Sequence, residues 1–192
     1  MEVEVFLGRV LHVIDPDNFW MHIGTNDHFA EFLQFEVNLE DFCRLSGNYI
    51  DDINEIYAGQ FVLVDCTDNG GTWKRGQVSR VDSIQKCADV VYIDYGSTEL
   101  VEESRLCANV PDEYLQFPFQ ALCCKLAGIQ PIARSWTSRA VKMFQDMTVN
   151  QVFHTILLPS GPGWFKVVLY RQDGDERSIA HEMLAQELAL VS

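Results

Sequence analysis

Short apolar runs rich in β-branched and aromatic residues predict that most of the chain forms strands. Residues 3–10 and 18–23 are two such runs, and the acid-proline-acid sequence between them is strong turn chemistry. A second pair of runs, 152–158 and 164–170, flanks a loop rich in proline and glycine. The pattern therefore predicts two β-hairpins, one near each end of the chain.

Apolar residues recur at helical spacing in three other segments. The first runs from Phe35 to Tyr57, with the Ser-Gly-Asn sequence at 46–48 as a break. The second opens at Ser135, which is expected to cap the helix, and the third closes the chain over Ser178–Leu190. Residues 119–129 predict one more strand before the second helix.

Tyr92 and Tyr95 lie three residues apart, where the apolar run 90–93 enters a turn that contains Gly96. Two tyrosines at such a junction can form two walls of an aromatic box, which binds a cation. In an ordinary half-buried strand the same tyrosines would be packing residues. The motifs around them favour the box.

Three ordered motifs surround these tyrosines. They read G-Q-F-V-L-V-D-C at 59–66, G-T-W-K-R-G-Q-V at 71–78 and V-V-Y-I-D-Y-G-S-T-E at 90–99. In this order they resemble the core of the Tudor domain, a small bent β-barrel. The flanking segments extend the resemblance to the extended Tudor domain, in which the barrel is inserted in a staphylococcal-nuclease-like, OB-type fold.

The resemblance implies a mainly β fold with helices and a definite division of the chain. Residues 59–108 would form the Tudor core, and 35–58 a linker helix. Residues 1–34 and 109–192 would form the nuclease-like, OB-type half. The bare ends, without a linker or a low-complexity tail, predict that the chain is one module of a larger multi-module protein.

Charge narrows the set of expected partners. The chain has 28 acidic and 14 basic residues, a net charge of −14, and this field repels the phosphates of nucleic acid but attracts an arginine-rich peptide. No apolar run reaches the roughly 18 residues that a membrane span needs. The six cysteines have no C-x-x-C spacing and predict buried thiols, with neither a disulfide nor a zinc site.

The resemblance also implies a binding site. Family readers of symmetrically dimethylated arginine surround the guanidinium with four aromatic side chains and an asparagine. Tyr92 and Tyr95 match two aromatic positions, but Cys66 and Lys74 stand at the other two, and Ser97 replaces the asparagine. An ammonium beside a guanidinium is a like-charge pair, so this lysine is expected to weaken such a site.

We therefore expect a non-catalytic module that binds an extended, arginine-rich peptide in the cleft between the barrel and the OB-type half, without requiring methylation. Asp68 and Asp94 are the expected carboxylates at the rim. Within the resemblance, the partner is the tail of a Piwi-class Argonaute protein in cytoplasmic germline granules, the perinuclear nuage. Direct binding of nucleic acid and membrane attachment are not expected.

Three alternatives remain at this point. The chain could be an ordinary reader of symmetrically dimethylated arginine, or a scaffold and self-association module. A nuclease would need acidic metal ligands together with arginines aimed at the phosphate, and the sequence does not supply that set. We therefore expect no catalytic residue, no metal and no cofactor.

Overall fold

The computed structural model describes residues 4–46, 49–67, 71–158, 160–174 and 177–192. The chain forms two compact units. The first unit is assembled from two separate segments, Met1–Asn26 and Gln120–Ser192, and the second unit is the intervening segment, Asp27–Phe119. The second unit is therefore an insertion in the sequence of the first. Within the described ranges, no helix is both long and apolar enough to cross a membrane.

Both units contain strands and helices. The strands are β1 (Val5–Asp15), β2 (Asn18–Gly24), β3 (Phe61–Val64), β4 (Lys74–Asp82), β5 (Cys87–Tyr92), β6 (Thr98–Glu102), β7 (Leu106–Cys107), β8 (Leu122–Leu126), β9 (Ile129–Gln130), β10 (Val152–Leu158), β11 (Phe165–Tyr170) and β12 (Leu190–Val191). The helices are α1 (Asn26–Ser46), α2 (Asp112–Gln116), α3 (Ser138–Thr148) and α4 (Ile179–Ala185). The predicted fold class, mainly β with helices, is confirmed.

The first unit is a closed five-stranded barrel with the strand order β1-β10-β11-β8-β2. Only the β11–β8 pair of this barrel is parallel. Phe144 of α3 reaches into the barrel core and meets Phe19 with ring centroids 5.1 Å apart. Closure leaves the barrel sheet without open edges.

The second unit is built on an antiparallel sheet with the strand order β6-β5-β4-β3-β7. Strand alternation gives this sheet two apolar faces. One face packs into a core that includes Val62, Val64, Val78, Val90 and Leu106. The other face carries Leu63 and Trp73, and these pack with the buried side of α1.

Both predicted hairpins are confirmed. Strand β1 pairs with β2 around a tight turn at Pro16 and Asp17, and the backbone N–H of Asp17 donates to the Asp15 carboxylate (2.7 Å). Strand β10 pairs with β11 in the second hairpin. In place of the single strand predicted over 119–129, the structure has β8 and a second short strand, β9, that begins at Ile129.

The predicted helices differ from the structure at their ends. Helix α1 begins at Asn26, before the predicted Phe35, because Phe32 already belongs to its buried stripe. It ends at Ser46, and a single 3-10 turn, Ile53–Glu55, follows it. Gly47 and Asn48 of the predicted break lie outside the described residues.

The other two helices begin close to the predicted positions. The cap of α3 is Thr137 and not Ser135, since the Thr137 hydroxyl accepts the Ala140 N–H (3.1 Å). Ser178 caps α4 in the same way. Helix α4 ends at Ala185, short of the predicted Leu190, and Glu187 follows with a positive φ of 56°. A residue in that conformation cannot continue a right-handed helix.

Candidate peptide-binding site

Strand β4 begins with two cationic residues whose side chains point to opposite faces of the sheet. Lys74 is half-buried, and Arg75 is only 1% exposed. Strand pairing fixes both positions, because Lys74 lies opposite Val64 and Arg75 opposite Leu63 of β3. Each cation meets aromatic rings, but the two surroundings differ.

Tyr92 and Tyr95 form the two aromatic walls that the sequence predicts. Tyr92 ends β5, and the chain then turns, with the N–H groups of Tyr95 and Gly96 donating to the Tyr92 carbonyl (3.1 and 2.7 Å). Gly96 has a φ of +77°, which favours glycine at this position. The turn therefore places both rings on the Lys74 side of β4.

Lys74 lies inside this pair of rings. Its Nζ is 5.1 Å from the centroid of Tyr92 and 4.7 Å from that of Tyr95, within the usual range of a cation–π contact. We call the group formed by Tyr92, Tyr95, Lys74 and Cys66 the tyrosine box. The box thus holds a cation that belongs to the chain itself.

Carboxylates fix the hydroxyl ends of both rings. The Tyr92 hydroxyl donates to Oε2 of Glu99 (2.5 Å), and Nη1 of Arg105 donates to Oε1 of the same glutamate (2.6 Å). The Tyr95 hydroxyl donates to the Glu36 carboxylate of α1. Anchoring at the hydroxyl leaves little rotational freedom to either ring, so the walls are preorganised.

The hydrogen bonds among Tyr92, Glu99 and Arg105 shift the pKa values of these three residues. Burial, together with the hydrogen bond to Glu99, raises the pKa of Tyr92. Burial raises the pKa of Glu99, but the hydrogen bonds from Tyr92 and Arg105 outweigh it and lower that pKa overall. The hydrogen bond to Glu99 raises the pKa of Arg105. Around neutral pH the phenol is therefore protonated, and the carboxylate and the guanidinium are charged.

Cys66 and Ser97 stand beside the tyrosines but supply no ring. Cys66 is buried, and its Sγ is 3.5 Å from the Tyr92 hydroxyl. Nη2 of Arg105 donates to the same sulfur (3.7 Å). Ser97 is half-buried, and its backbone carbonyl accepts the Tyr92 N–H (2.9 Å). The structure therefore brings together Tyr92, Tyr95, Lys74, Cys66 and Ser97.

Asp94 requires a correction, because it is not a carboxylate at the rim. It is 3% exposed, and its two oxygens accept hydrogen bonds from Nε and Nη2 of Arg75 (2.8 and 2.6 Å). Its place in a turn predicted exposure, whereas pairing with a buried guanidinium draws it into the interior. Asp68, the other predicted rim carboxylate, lies outside the described residues.

The Arg75 guanidinium is fixed by hydrogen bonds from all three of its nitrogens. Besides Asp94, its N–H groups donate to the carbonyls of Tyr114 (2.6 Å), Phe117 (2.8 Å) and Pro118 (3.1 Å), so each of its five donors has a partner. The Cζ of Arg75 lies 4.6 Å from the centroid of the Phe35 ring. Arg75 therefore ties the sheet to the segment that leaves it, and it is a structural residue.

Sequence reasoning missed three residues that anchor the walls of the tyrosine box: Glu36, Glu99 and Arg105. Glu99 could have been found, because it closes the motif at 90–99 and faces the same side as the box. Glu36 gives no local signal, since α1 brings it to Tyr95 across a separation of 59 residues. Arg105 is likewise recognisable only once β6 has placed Glu99.

The acidic residues of the chain are concentrated in the second unit, which carries this site. The second unit contains 18 acidic and 6 basic residues, a net charge of −12, whereas the first contains 10 and 8. A cationic ligand is therefore attracted mainly to the second unit.

Comparison with known proteins agrees with this geometry. Residues 2–128 match the family model of the Tudor domain. Tudor domain-containing protein 1 of Mus musculus is 29% identical over 150 residues, which cover 77% of this chain and 12% of that protein. The chain thus spans a small part of the length of this relative.

Two solved structures share the whole fold. The extended Tudor domain TD3 of mouse TDRD1, in complex with a MILI peptide containing dimethylarginine, has a TM-score of 0.85 at 22% identity and covers 100% of this chain and 95% of its own. A variant of the Drosophila melanogaster Papi extended Tudor domain was solved in complex with an unmethylated Piwi N-terminal peptide. It has a TM-score of 0.81 at 19% identity, and the match covers 98% of this chain and 100% of the Papi chain.

These likenesses confirm the predicted fold, a Tudor barrel inserted in an OB-type fold. The family match extends over more than half of the chain and includes all three motifs around the tyrosines. The chain belongs to the Tudor domain family.

Proposed function

We propose that this domain is a non-catalytic module that binds an arginine-rich peptide and does not require methylation of the arginine. The observation that carries the proposal is the position of Lys74, whose ammonium lies between Tyr92 and Tyr95. This contact supports the role of the two rings as walls for a cation. It also places a charge where a complete cage would have a third ring.

Two properties favour an arginine-rich ligand. The second unit has a net charge of −12, which raises the encounter rate with a cationic peptide. The TDRD1 and Papi domains of the same fold were solved with peptides of MILI and Piwi. We therefore propose the tail of a Piwi-class Argonaute protein as the partner, in cytoplasmic germline granules, with this domain as one module of a longer protein.

The missing rings argue against strong selection for methylated arginine. Methyl groups increase affinity through contact with ring faces, and each good cation–π contact contributes about 0.5 to 2 kcal/mol. Cys66 and Lys74 offer no ring face, and Ser97 lacks the paired amide donor and acceptor of asparagine. Asp68 remains a proposed carboxylate at the rim.

Calorimetry with two matched peptides tests this proposal. A short peptide of alternating arginine and glycine, unmodified or symmetrically dimethylated at its central arginine, is titrated into the domain. We expect both to bind, with affinities that differ by less than about fivefold. A preference of more than about thirtyfold for the methylated peptide would show that the domain is an ordinary dimethylarginine reader instead.

A pair of tyrosine variants locates the site. Tyr95→Leu keeps an apolar side chain but removes one ring, and it should weaken binding of the unmodified peptide by about three- to tenfold. Tyr57→Leu is the matched control, because Tyr57 is 67% exposed in the same unit but outside the box. Equal affinities of the two variants would place the peptide elsewhere.

A further inference from the structure

The tyrosine box is already filled. The distances from the Lys74 Nζ to the two ring centroids, 5.1 and 4.7 Å, are those that an arriving guanidinium would need. We infer that Lys74 is an internal competitor for this box, and that an arginine side chain enters it only by displacing the Lys74 ammonium. This inference rests on the proposed function and adds to it a competition between Lys74 and the arginine of the peptide.

The surroundings of Lys74 favour a cation in that position. Glu36 and Glu99 accept hydrogen bonds from the hydroxyls of Tyr95 and Tyr92, so two carboxylates lie at the hydroxyl ends of the rings. Burial raises the pKa of Glu99, but the hydrogen bonds from Tyr92 and Arg105 and the charge of Arg105 lower it, and the charge of Lys74 adds a smaller effect in the same direction. The box therefore attracts positive charge although it has only two rings.

Two cations cannot share this space. An ammonium and a guanidinium between the same two rings would repel each other at close range in a partly desolvated site. The Lys74 ammonium can leave the box, because the flexible four-carbon stem can carry the charge into solvent. The backbone of Lys74 stays in place, since it is paired in β4. Binding of arginine is thus an exchange of one cation for another, and the lost lysine contact lowers the observed affinity.

The contrast with Arg75 shows why Lys74 is the displaceable cation. All five donors of Arg75 have partners, and the residue is 1% exposed. Within the described ranges, the close contacts of the Lys74 ammonium are with ring faces, and the residue is only half-buried. Its removal therefore breaks no buried hydrogen bond of the described part of the chain.

Removing the competitor should strengthen binding. In the calorimetric assay, Lys74→Ala should bind the unmodified arginine–glycine peptide about tenfold more tightly than the wild-type domain, equivalent to about 1.4 kcal/mol. Alanine is chosen because it cannot reach the rings. Lys74→Gln, which keeps the stem without the charge, should give a gain in the same direction.

Lys86→Ala is the matched control. It removes the same charge from the same unit, but Lys86 pairs with Glu103 (2.9 Å) and lies outside the box. A gain with Lys74→Ala alone supports the competitor. An equal gain with both variants would assign the effect to net charge and overturn the inference, as would no gain with either.

A second measurement does not depend on any peptide. Ring currents should move the NMR signals of the Lys74 ε-methylene protons upfield of those of Lys86, and Tyr95→Leu should reduce that shift. Ordinary lysine shifts at Lys74 would overturn the inference even if the peptide binds. Conversely, an upfield shift together with no binding by wild type or Lys74→Ala would leave the box occupied and refute the proposed function.

Discussion

The buried pair of Arg75 and Asp94 should be among the most sensitive points of the second unit. We consider Arg75→Met, which keeps much of the side-chain volume but removes all five donors. The Asp94 carboxylate would lose its guanidinium, and the carbonyls of Tyr114, Phe117 and Pro118 would lose their donor. The substitution therefore tests how far one residue holds the sheet and its exit segment together.

The expected cost follows from the burial of both partners, whose side chains are 1% and 4% exposed. Breaking a buried ion pair by removing one partner typically costs about 3 to 5 kcal/mol, because the other charge stays buried. For a chain of this length, such a loss lowers the melting temperature by about 6 to 20 °C. Replacing both residues, as in Arg75→Met with Asp94→Asn, should cost less than the sum of the single changes, by at least about 1.5 kcal/mol.

Urea unfolding followed by circular dichroism measures these differences. Arg80→Met is the control on the same strand, since Arg80 pairs with Asp89 at the surface and its side chain is 67% exposed. That variant should leave the unfolding midpoint almost unchanged. A loss below about 1 kcal/mol for Arg75→Met, or additive effects in the double variant, would refute the role that we assign to this pair.

Three further predictions concern packing, titration and ionic strength. Gly76→Ala should lower the free energy of unfolding, measured with urea, by about 1 to 3 kcal/mol, because an added Cβ would lie 2.2 Å from Cγ1 of the buried Val90. A decrease of less than about 0.5 kcal/mol would contradict this close approach. The hydrogen bond that Tyr49 donates to Asp65, together with burial, raises its pKa to about 12. The stabilisation that this hydrogen bond gives the folded state should be complete below about pH 10, and it should disappear as the pH rises to 12. The absorbance titration of the wild-type domain, minus that of Tyr49→Phe, should show one phenol that titrates near pH 12 rather than near pH 10. Affinity for the arginine–glycine peptide should fall as salt rises, while single-stranded RNA should show no saturable binding in about 0.15 M salt; RNA binding that the peptide competes away would reverse our choice of ligand.

Local patterns were sufficient to predict most elements and the two walls of the box. Apolar runs rich in β-branched and aromatic residues, with turn residues between them, identify both hairpins, because the interactions that form them lie within a few residues. Tyr92 and Tyr95 are separated by a single turn, so their proximity follows from the sequence Y-I-D-Y-G-S at 92–97 itself. The Tudor motifs then supply the fold.

Long-range pairing explains what the sequence did not reveal. Asp94 stands in a turn, where carboxylates are usually exposed, and its burial depends on Arg75 at a separation of 19 residues. Glu36 reaches Tyr95 because α1 packs its apolar stripe on the sheet. In both cases a polar residue is placed by a partner distant in sequence, which no local periodicity encodes.

Strand β4 shows how two neighbouring cations acquire opposite roles. Alternation sends Lys74 and Arg75 to different faces, so each meets a separate set of rings. Arginine has five donors in a fixed plane, and the chain satisfies all of them, which makes its contact permanent. Lysine presents a compact charge on a flexible stem and meets mainly ring faces in the described structure, which makes its contact exchangeable. Exchanging the two residues, as Lys74→Arg with Arg75→Lys, should therefore destabilise the sheet and close the box more tightly against an arriving arginine.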